Sequence, residues 1–162
     1  MNVGGRIVKM AELKACFEKA GFKNVSTVLQ SGNVVFEGDK PVAQLKPEIE
    51  SLLTKTFDYP AKVQVFSLPE LAKIVKDYPF KNREGYHSYV IFIENGLEQE
   101  LAKEVGELPD NLEQVAAGKG VVYWQVERGQ TLKSTFGKFL SKAKYKELNT
   151  NRNLNTLQKI LK

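Results

Sequence analysis

The chain of 162 residues contains one cysteine and one histidine, and both scarcities limit the chemistry it can perform. Cys16 alone cannot form an internal disulfide or a cysteine-based metal site, which favours a reducing cytoplasm. Its place on an apolar helix face favours a small core residue over a nucleophile. A Ser/His/Asp or Cys/His centre would have to use His87, whose position beside a predicted strand favours a structural role.

Long apolar runs and known cofactor motifs are also missing. No run approaches the ~20 residues that span a bilayer, and the N-terminus lacks the basic and apolar regions of a secretory signal. The sequence has no phosphate-binding loop with Gly-Lys-Ser/Thr, no dinucleotide fingerprint and no cluster of metal ligands. We therefore expect no cofactor, no metal and no membrane partner.

Acidic residues are nearly absent from the C-terminal fifth of the chain. The net charge of +5 is unevenly distributed, because residues 128–162 contain only one acid, Glu147. The same segment contains nine basic residues: Arg128, Lys133, Lys138, Lys142, Lys144, Lys146, Arg152, Lys159 and Lys162. Such a cationic block attracts anionic partners without specifying which anion.

Hydrophobic periodicity and turn residues predict the elements of the first half. In chain order they are a helix over residues 10–20, a hairpin over 24–38 that turns at 31–33, a helix within 42–56, a strand over 61–66 and a helix that begins at Ser67. Because proline lacks an N–H, we expect the regular part of the second helix to begin near Pro47.

The second half repeats this plan after the polar residues 81–85. The pattern predicts a strand over 89–93, a helix over 97–105, a hairpin over 115–126, a basic helix with Phe136, Phe139, Leu140 and Ala143 inward, and a C-terminal helix. Both halves, 1–80 and 81–162, thus follow the split βαβ plan of ferredoxin-like folds. The predicted class is α+β, with two ferredoxin-like halves packed together and no first strand in the first half.

Motifs at both ends of the chain resemble those of a known family. The segments "NVGG", "KMAEL", "GFKNVSTVLQSGNVVFEG" and "TNRNLNT" are similar to the bacterial domain of unknown function family 1697. This resemblance implies two packed ferredoxin-like α/β halves and a family without an established biochemical activity. The chain departs from it at Leu154, where typical members have tryptophan. It also lacks the strand ending in a Leu-Leu-Arg-Gly-Ile-like run that precedes Asn-Val-Gly-Gly.

That strand would lie inside a split βαβ sheet, so its loss would leave neighbouring backbone groups without partners. We therefore expect the start at Met1 to be truncated. If the start is genuine, another segment fills the gap or the first half is rearranged.

The loop "NVGGR" is the first candidate ligand site. Gly4 and Gly5 allow backbone N–H groups to approach an anion, and Arg6 can bind phosphate or carboxylate with two hydrogen bonds. A tight connection to the first helix explains the same glycines. Ser31 and Asn33, on either side of Gly32, have the same two interpretations.

The segment "NTNRNLN", residues 149–155, is the second candidate. Asn153 or Thr150 is suited to cap the C-terminal helix. The other asparagines and Arg152 either hold neighbouring loops through hydrogen bonds, or form an anion or nucleotide site that uses Arg152, Asn153 and Asn155.

The basic helix "KSTFGKFLSKAKYK" is the third candidate. Lys138 and Lys142 are four residues apart and share one helix face, with Lys144 nearby. These lysines either are simply solvated or contact phosphates along a nucleic acid.

Three functions remain open. We favour a cytoplasmic binder of a phosphorylated ligand or nucleic acid, in which Arg6, Asn33 and Arg152 converge in one positively charged pocket. The alternatives are an enzyme acting on a small phosphorylated or carboxylated substrate, with Glu37 or Asp39 as acid or base, and a protein-interaction scaffold. The sequence leaves catalysis and the oligomeric state undecided.

Overall fold

Helices and antiparallel strands make up a mixed α+β structure. The computed structural model describes residues 1–3, 5–94, 96–105, 108, 112–146 and 148–162. The helices are α1 Met10–Lys19, α2 Val42–Phe57, α3 Leu68–Lys76, α4 Leu97–Val105, α5 Thr135–Leu140, α6 Ala143–Lys146 and α7 Leu154–Ile160. The strands are β1 Asn2–Val3, β2 Arg6–Ile7, β3 Lys23–Val28, β4 Asn33–Glu37, β5 Tyr86–Ile93, β6 Glu113–Ala117, β7 Val121–Glu127 and β8 Asn149–Asn153. The predicted α+β class is confirmed.

Contacts between residues divide the chain into two compact units. Unit 1 comprises Met1–Leu68 with Lys162, and unit 2 comprises Pro69–Leu161. Helix α3 therefore groups with unit 2, whereas the predicted halves divide after residue 80. The ferredoxin-like description of both halves stays a prediction.

In unit 1, helix α1 and the hairpin of β3 and β4 follow the predicted pattern. Leu13, Cys16 and Phe17 form the buried side of α1, and Gly21 follows the helix with a φ of 94°. Gly32 has a φ of 79° in the turn between the two strands, a conformation that glycine adopts without strain. Both predicted elements are confirmed.

The start of α2 differs from the prediction. The helix begins at Val42 and continues through Pro47, so the expected start near Pro47 is wrong. Pro47 cannot donate a hydrogen bond to the preceding turn. Leu45 and Ile49 are both buried in the unit 1 core, one on each side of the proline, and this burial keeps the turn helical.

Residues 61–66 do not form the predicted strand. Their sequence is typical of a strand, but a strand requires a neighbour that pairs with its backbone. Here the Ala61 amide donates to Thr54 Oγ1 at 3.0 Å and the Val63 amide donates to Glu50 Oε1 at 3.1 Å. Side chains of α2 thus bind two amides of this segment.

The unit 1 core lies between its helices and the β3–β4 hairpin. The rings of Phe17, Phe22 and Phe36 pack against each other with centroid distances of 4.7 to 5.5 Å. Each such aromatic pair contributes about 0.5–1.5 kcal/mol beyond simple burial. The buried members of the core are Val8, Leu13, Cys16, Phe17, Val25, Leu45, Ile49, Leu53 and Ala61.

Unit 2 contains a four-stranded sheet in the order β6-β7-β5-β8, with all described pairs antiparallel. Strand β7 lies between β5 and β6. Helix α4 therefore connects two strands that are not neighbours, as in a split βαβ unit.

Both faces of strand β7 are buried. Val122, Trp124 and Val126 point to one side, where they pack with Leu101 and Phe136. Successive residues of a strand point to opposite faces, so Val121, Tyr123 and Gln125 are buried on the other side. There the Tyr123 hydroxyl donates to the Ile74 carbonyl of α3 at 2.9 Å.

The predicted single basic helix is two short helices, α5 and α6. Ser134 caps α5 by accepting a hydrogen bond from the Gly137 amide. At its end, Ser141 Oγ donates to the Gly137 carbonyl at 2.8 Å, and such side-chain bonds compete with continued helix. Phe136 is fully buried and Phe139 is partly buried, whereas the Ala143 side chain lies outside the described residues.

The polar segment "NTNRN" is the edge strand β8. It pairs with the apolar strand β5, with Arg152 opposite Val90. None of the helices in the described ranges is long and apolar enough to cross a membrane.

Candidate phosphate-binding residues

The glycine loop near the N-terminus places Arg6 at the end of α2. Gly4 lies outside the described residues, and Gly5 has a φ of 79° in the turn between β1 and β2. Arg6 is exposed, and its Nη1 donates to the Phe57 carbonyl at 3.1 Å. A cation at a helix C-terminus also stabilises the helix dipole. This contact gives Arg6 a structural role, and a ligand-binding role for Gly5 and Arg6 stays a prediction.

Asn33 holds the turn between β3 and β4. Its Nδ2 donates to the Val28 carbonyl at 2.9 Å and to Ser31 Oγ at 2.8 Å. The residue is buried, so these bonds satisfy an amide that would otherwise be costly to bury. The geometry therefore accounts for Ser31 and Asn33 as turn residues, and ligand binding by either one stays a prediction.

Arg152 is a partly buried cation in the edge strand β8. Burial lowers the pKa of its guanidinium, but an arginine keeps its charge in proteins. Its Nη1 donates to the neighbouring Asn151 carbonyl at 2.9 Å.

Two asparagines of "NTNRNLN" connect β8 to the helices on either side of it. Asn153 caps α7, because its Oδ1 accepts a hydrogen bond from the Asn155 amide at 2.9 Å. Asn149 Nδ2 donates to the Tyr145 carbonyl of α6 at 2.5 Å. The predicted cap at Asn153 is confirmed, whereas Asn155 is exposed and contributes its backbone N–H to that cap.

The lysines on and between α5 and α6 differ in their partners. Lys138 lies in α5 and Lys142 lies in the connection to α6, so the prediction that the two share a face of one helix is wrong. Lys138 and Lys142 are exposed, and no salt bridge within the described part of the chain involves either one. Lys142 Nζ lies 4.4 Å from the centroid of the Phe139 ring. In contrast, Lys144 Nζ forms an exposed ion pair with Glu100 Oε1 of α4 at 2.6 Å.

Two features of this region were missed by sequence reasoning. The hydrogen bond and charge of Lys144 lower the pKa of Glu100, which lies in a helix 44 residues away. Phe139 stacks on buried Tyr145 with a centroid distance of 5.2 Å and an interplanar angle of 27°. The apolar pattern marked Phe139 only as an inward residue, and no local signal indicated Glu100 as a partner.

The predicted convergence of Arg6, Asn33 and Arg152 stays a prediction, because the first two belong to unit 1 and Arg152 belongs to unit 2.

The candidate catalytic groups have ordinary surroundings. Cys16 is buried, with its Sγ 3.4 Å from Thr56 Oγ1, and the His87 ring packs against Tyr89. Glu37 and Asp39 are exposed. In the ranges that the structure describes, no three His, Cys, Asp or Glu residues form a group that could hold a metal ion.

Comparison with known proteins identifies the fold and the family. The conserved bacterial protein SP0830 from Streptococcus pneumoniae has a similar structure, with a TM-score of 0.78 and 23% sequence identity. The similarity covers 99% of this chain and 92% of that chain, and it concerns the fold. A search of curated proteins gave no match. Residues 1–123 match the family described as "Protein of unknown function (DUF1697)", and the chain belongs to that family.

Proposed function

We propose that unit 2 binds the phosphate groups of an anionic ligand through a surface of exposed lysines on and beside α5 and α6. The lysine surface comprises Lys133, Lys138, Lys142, Lys144 and Lys146. The observation that carries the proposal is the absence of ion pairs for Lys138 and Lys142 among the described residues. Their positive charge is therefore available to a ligand.

The local charge balance supports this proposal. The segment 128–162 contains Glu147 as its one acid against nine basic residues. A cationic segment attracts phosphates at long range, and the phosphates release their counterions on binding. Lys138 and Lys142 can form these contacts without first breaking a salt bridge within the described residues, whereas Lys144 is paired with Glu100.

The arrangement favours a ligand with several phosphates. Lys133, Lys138, Lys142 and Lys146 are all exposed, and they extend from the segment before α5 to the end of α6. A chain of phosphates can contact several such lysines at once. Nucleotides and nucleic acids share this chemistry, so binding experiments must separate them.

The proposal is tested by titrating the protein with fluorescent single-stranded DNA, single-stranded RNA and a nucleoside triphosphate at several salt concentrations. We expect affinity for the polymers to fall steeply with salt, with a slope of about −0.7 in log K against log salt for each phosphate contact on a single strand. The double variant K138Q/K142Q is expected to reduce the magnitude of this slope by about 1.4, the contribution of two contacts.

Lys76 provides the matched control, because it is an exposed lysine of unit 2 on α3, which packs against the opposite face of β7 from α5. K76Q should bind as the wild-type protein does. The proposal is wrong if none of the three ligands binds at low salt, or if K76Q and K138Q/K142Q weaken binding equally. Preferential binding of the nucleoside triphosphate would assign the phosphate site to a small molecule.

A further inference from the structure

Phe139 is an aromatic side chain within the lysine surface that is not fully buried. It lies in α5, where its ring stacks on Tyr145 at 5.2 Å. Tyr145 is only 1% exposed, so this ring provides a fixed support beneath Phe139. The ammonium group of Lys142 lies over the Phe139 ring, 4.4 Å from its centroid.

We infer that the ligand of the lysine surface is a single-stranded nucleic acid, one of whose bases stacks on Phe139. This inference rests on the proposed function, because the same lysines supply the phosphate contacts. Proteins that bind single strands combine a positively charged surface with aromatic rings on which bases stack. Phe139 and Lys142 place both groups side by side.

The contact between Lys142 and Phe139 is replaceable. Lysine has a flexible four-carbon side chain, and a cation–π contact at an exposed site is weaker than the stacking of a base on an aromatic ring. A base that stacks on Phe139 therefore displaces the ammonium group. Lys142 is then free to contact the phosphate next to that base.

A single strand fits this arrangement better than a duplex does. Bases within a duplex are stacked on each other, so a base must leave the stack before it can contact a protein ring. The bases of a single strand are already accessible. Phenylalanine has no hydrogen-bonding group, and stacking alone tolerates every base, so we expect little sequence preference.

The test compares a single-stranded DNA oligonucleotide with an abasic oligonucleotide of the same length, which keeps the phosphates and lacks the bases. The wild-type protein should bind the complete strand more tightly. F139L should weaken binding of the complete strand by about 5- to 140-fold, the range expected for one base stacked on an aromatic side chain. The same variant should leave binding of the abasic strand unchanged, whereas F139Y should bind both strands as the wild type does.

Tyr86 is the matched control, since it is also a partly buried aromatic residue of unit 2 with a cation over its ring, Arg83 at 3.9 Å. Y86L should bind the complete strand like the wild type, and thermal unfolding verifies that each variant is folded. Equal wild-type affinity for the complete and abasic strands would overturn the stacking inference and leave phosphate binding intact. That outcome would overturn the inference even if F139L does not fold. Failure of both strands to bind at low salt would overturn the single-strand inference, and it would remove the proposed function as well if single-stranded RNA and the nucleoside triphosphate also fail to bind.

Discussion

The indole Nε1 of Trp124 donates a hydrogen bond to Glu113 Oε2 at 2.9 Å, and both side chains are buried. The other carboxyl oxygen of Glu113 accepts from the Phe136 amide at 3.2 Å. We expect Glu113→Leu to lower the free energy of unfolding by about 2–5 kcal/mol, because it leaves two buried N–H groups without acceptors. Urea unfolding followed by Trp124 fluorescence measures this loss.

Glu113→Gln is an intermediate substitution for comparison with Glu113→Leu. Its single carbonyl oxygen can replace one of the two acceptors, so its stability should fall between those of the wild type and Glu113→Leu. As an exposed control, Glu94→Gln should change the stability little. A Leu variant as stable as the wild type would show that the buried carboxyl group does not stabilise unit 2.

The second prediction concerns Pro47, which lies in the interior of helix α2 with its side chain exposed to solvent. Pro47→Ala restores the N–H that can donate to the carbonyl of the preceding turn. We expect the free energy of unfolding to rise by about 1 kcal/mol or more, even though alanine makes the unfolded chain more flexible. Chemical denaturation followed by circular dichroism measures the change.

Pro69 is the control for this substitution, since it is an exposed proline in the first turn of α3. An N–H at that position has no acceptor within the helix, so Pro69→Ala should not stabilise the protein. If both alanine variants have the same effect on stability, the missing hydrogen bond in α2 is not the cause.

The alkaline stability of unit 2 should depend on Tyr123. Burial, with a smaller contribution from the negative charge of Asp77, raises the pKa of Tyr123 to about 12. Above pH 10 the unfolded chain loses the phenol proton while the folded protein retains it. The stabilising contribution is therefore complete below pH 10 and is lost as the pH rises towards 12.

This dependence is measured by urea unfolding between pH 9 and pH 12, with Tyr123→Phe for comparison. The variant lacks the titrating phenol and should lose stability less steeply over this range. It should also be less stable at pH 8, because it lacks the hydrogen bond to the Ile74 carbonyl. Parallel pH profiles for the two proteins would contradict the prediction.

Substitution of Glu100 should increase the affinity of the proposed lysine surface for phosphate. Glu100→Gln removes the negative charge that pairs with Lys144 and so raises the net positive charge of the lysine surface. We expect affinity for single-stranded DNA to rise roughly two- to fivefold at low salt and to be unchanged at high salt. Fluorescence anisotropy measures both conditions.

Glu84→Gln is the control, because it makes the same change of charge at an exposed position outside the cationic block. An equal gain in both variants would indicate an effect of net charge alone. A loss of affinity in Glu100→Gln would mean that the ion pair positions Lys144 for binding.

Local patterns predicted those elements whose stability depends on their own sequence. Helix α1 and the β3–β4 hairpin have clear periodicity and turn residues, and both form as predicted. The predicted strand over residues 61–66 was wrong, because a strand depends on a distant partner that local propensity does not report. The predicted start of α2 near Pro47 was wrong, because burial of the neighbouring residues outweighs the unfavourable helix propensity of proline.

The candidate site was predictable to a smaller extent. The cap at Asn153 follows from local geometry and was found. The bonds from Arg6 to Phe57 and from Lys144 to Glu100 join residues 51 and 44 positions apart. Sequence spacing does not indicate such pairs. The structure was therefore needed to distinguish Lys144, which pairs with Glu100, from Lys138 and Lys142.

The amides of Ala61 and Val63 illustrate how a segment without strand partners is protected from solvent. Each donates to one α2 side chain, Thr54 or Glu50. A rotation of that side chain exposes the amide without any disruption of the helix, so hydrogen–deuterium exchange at these two positions should be faster than in the central strand β5.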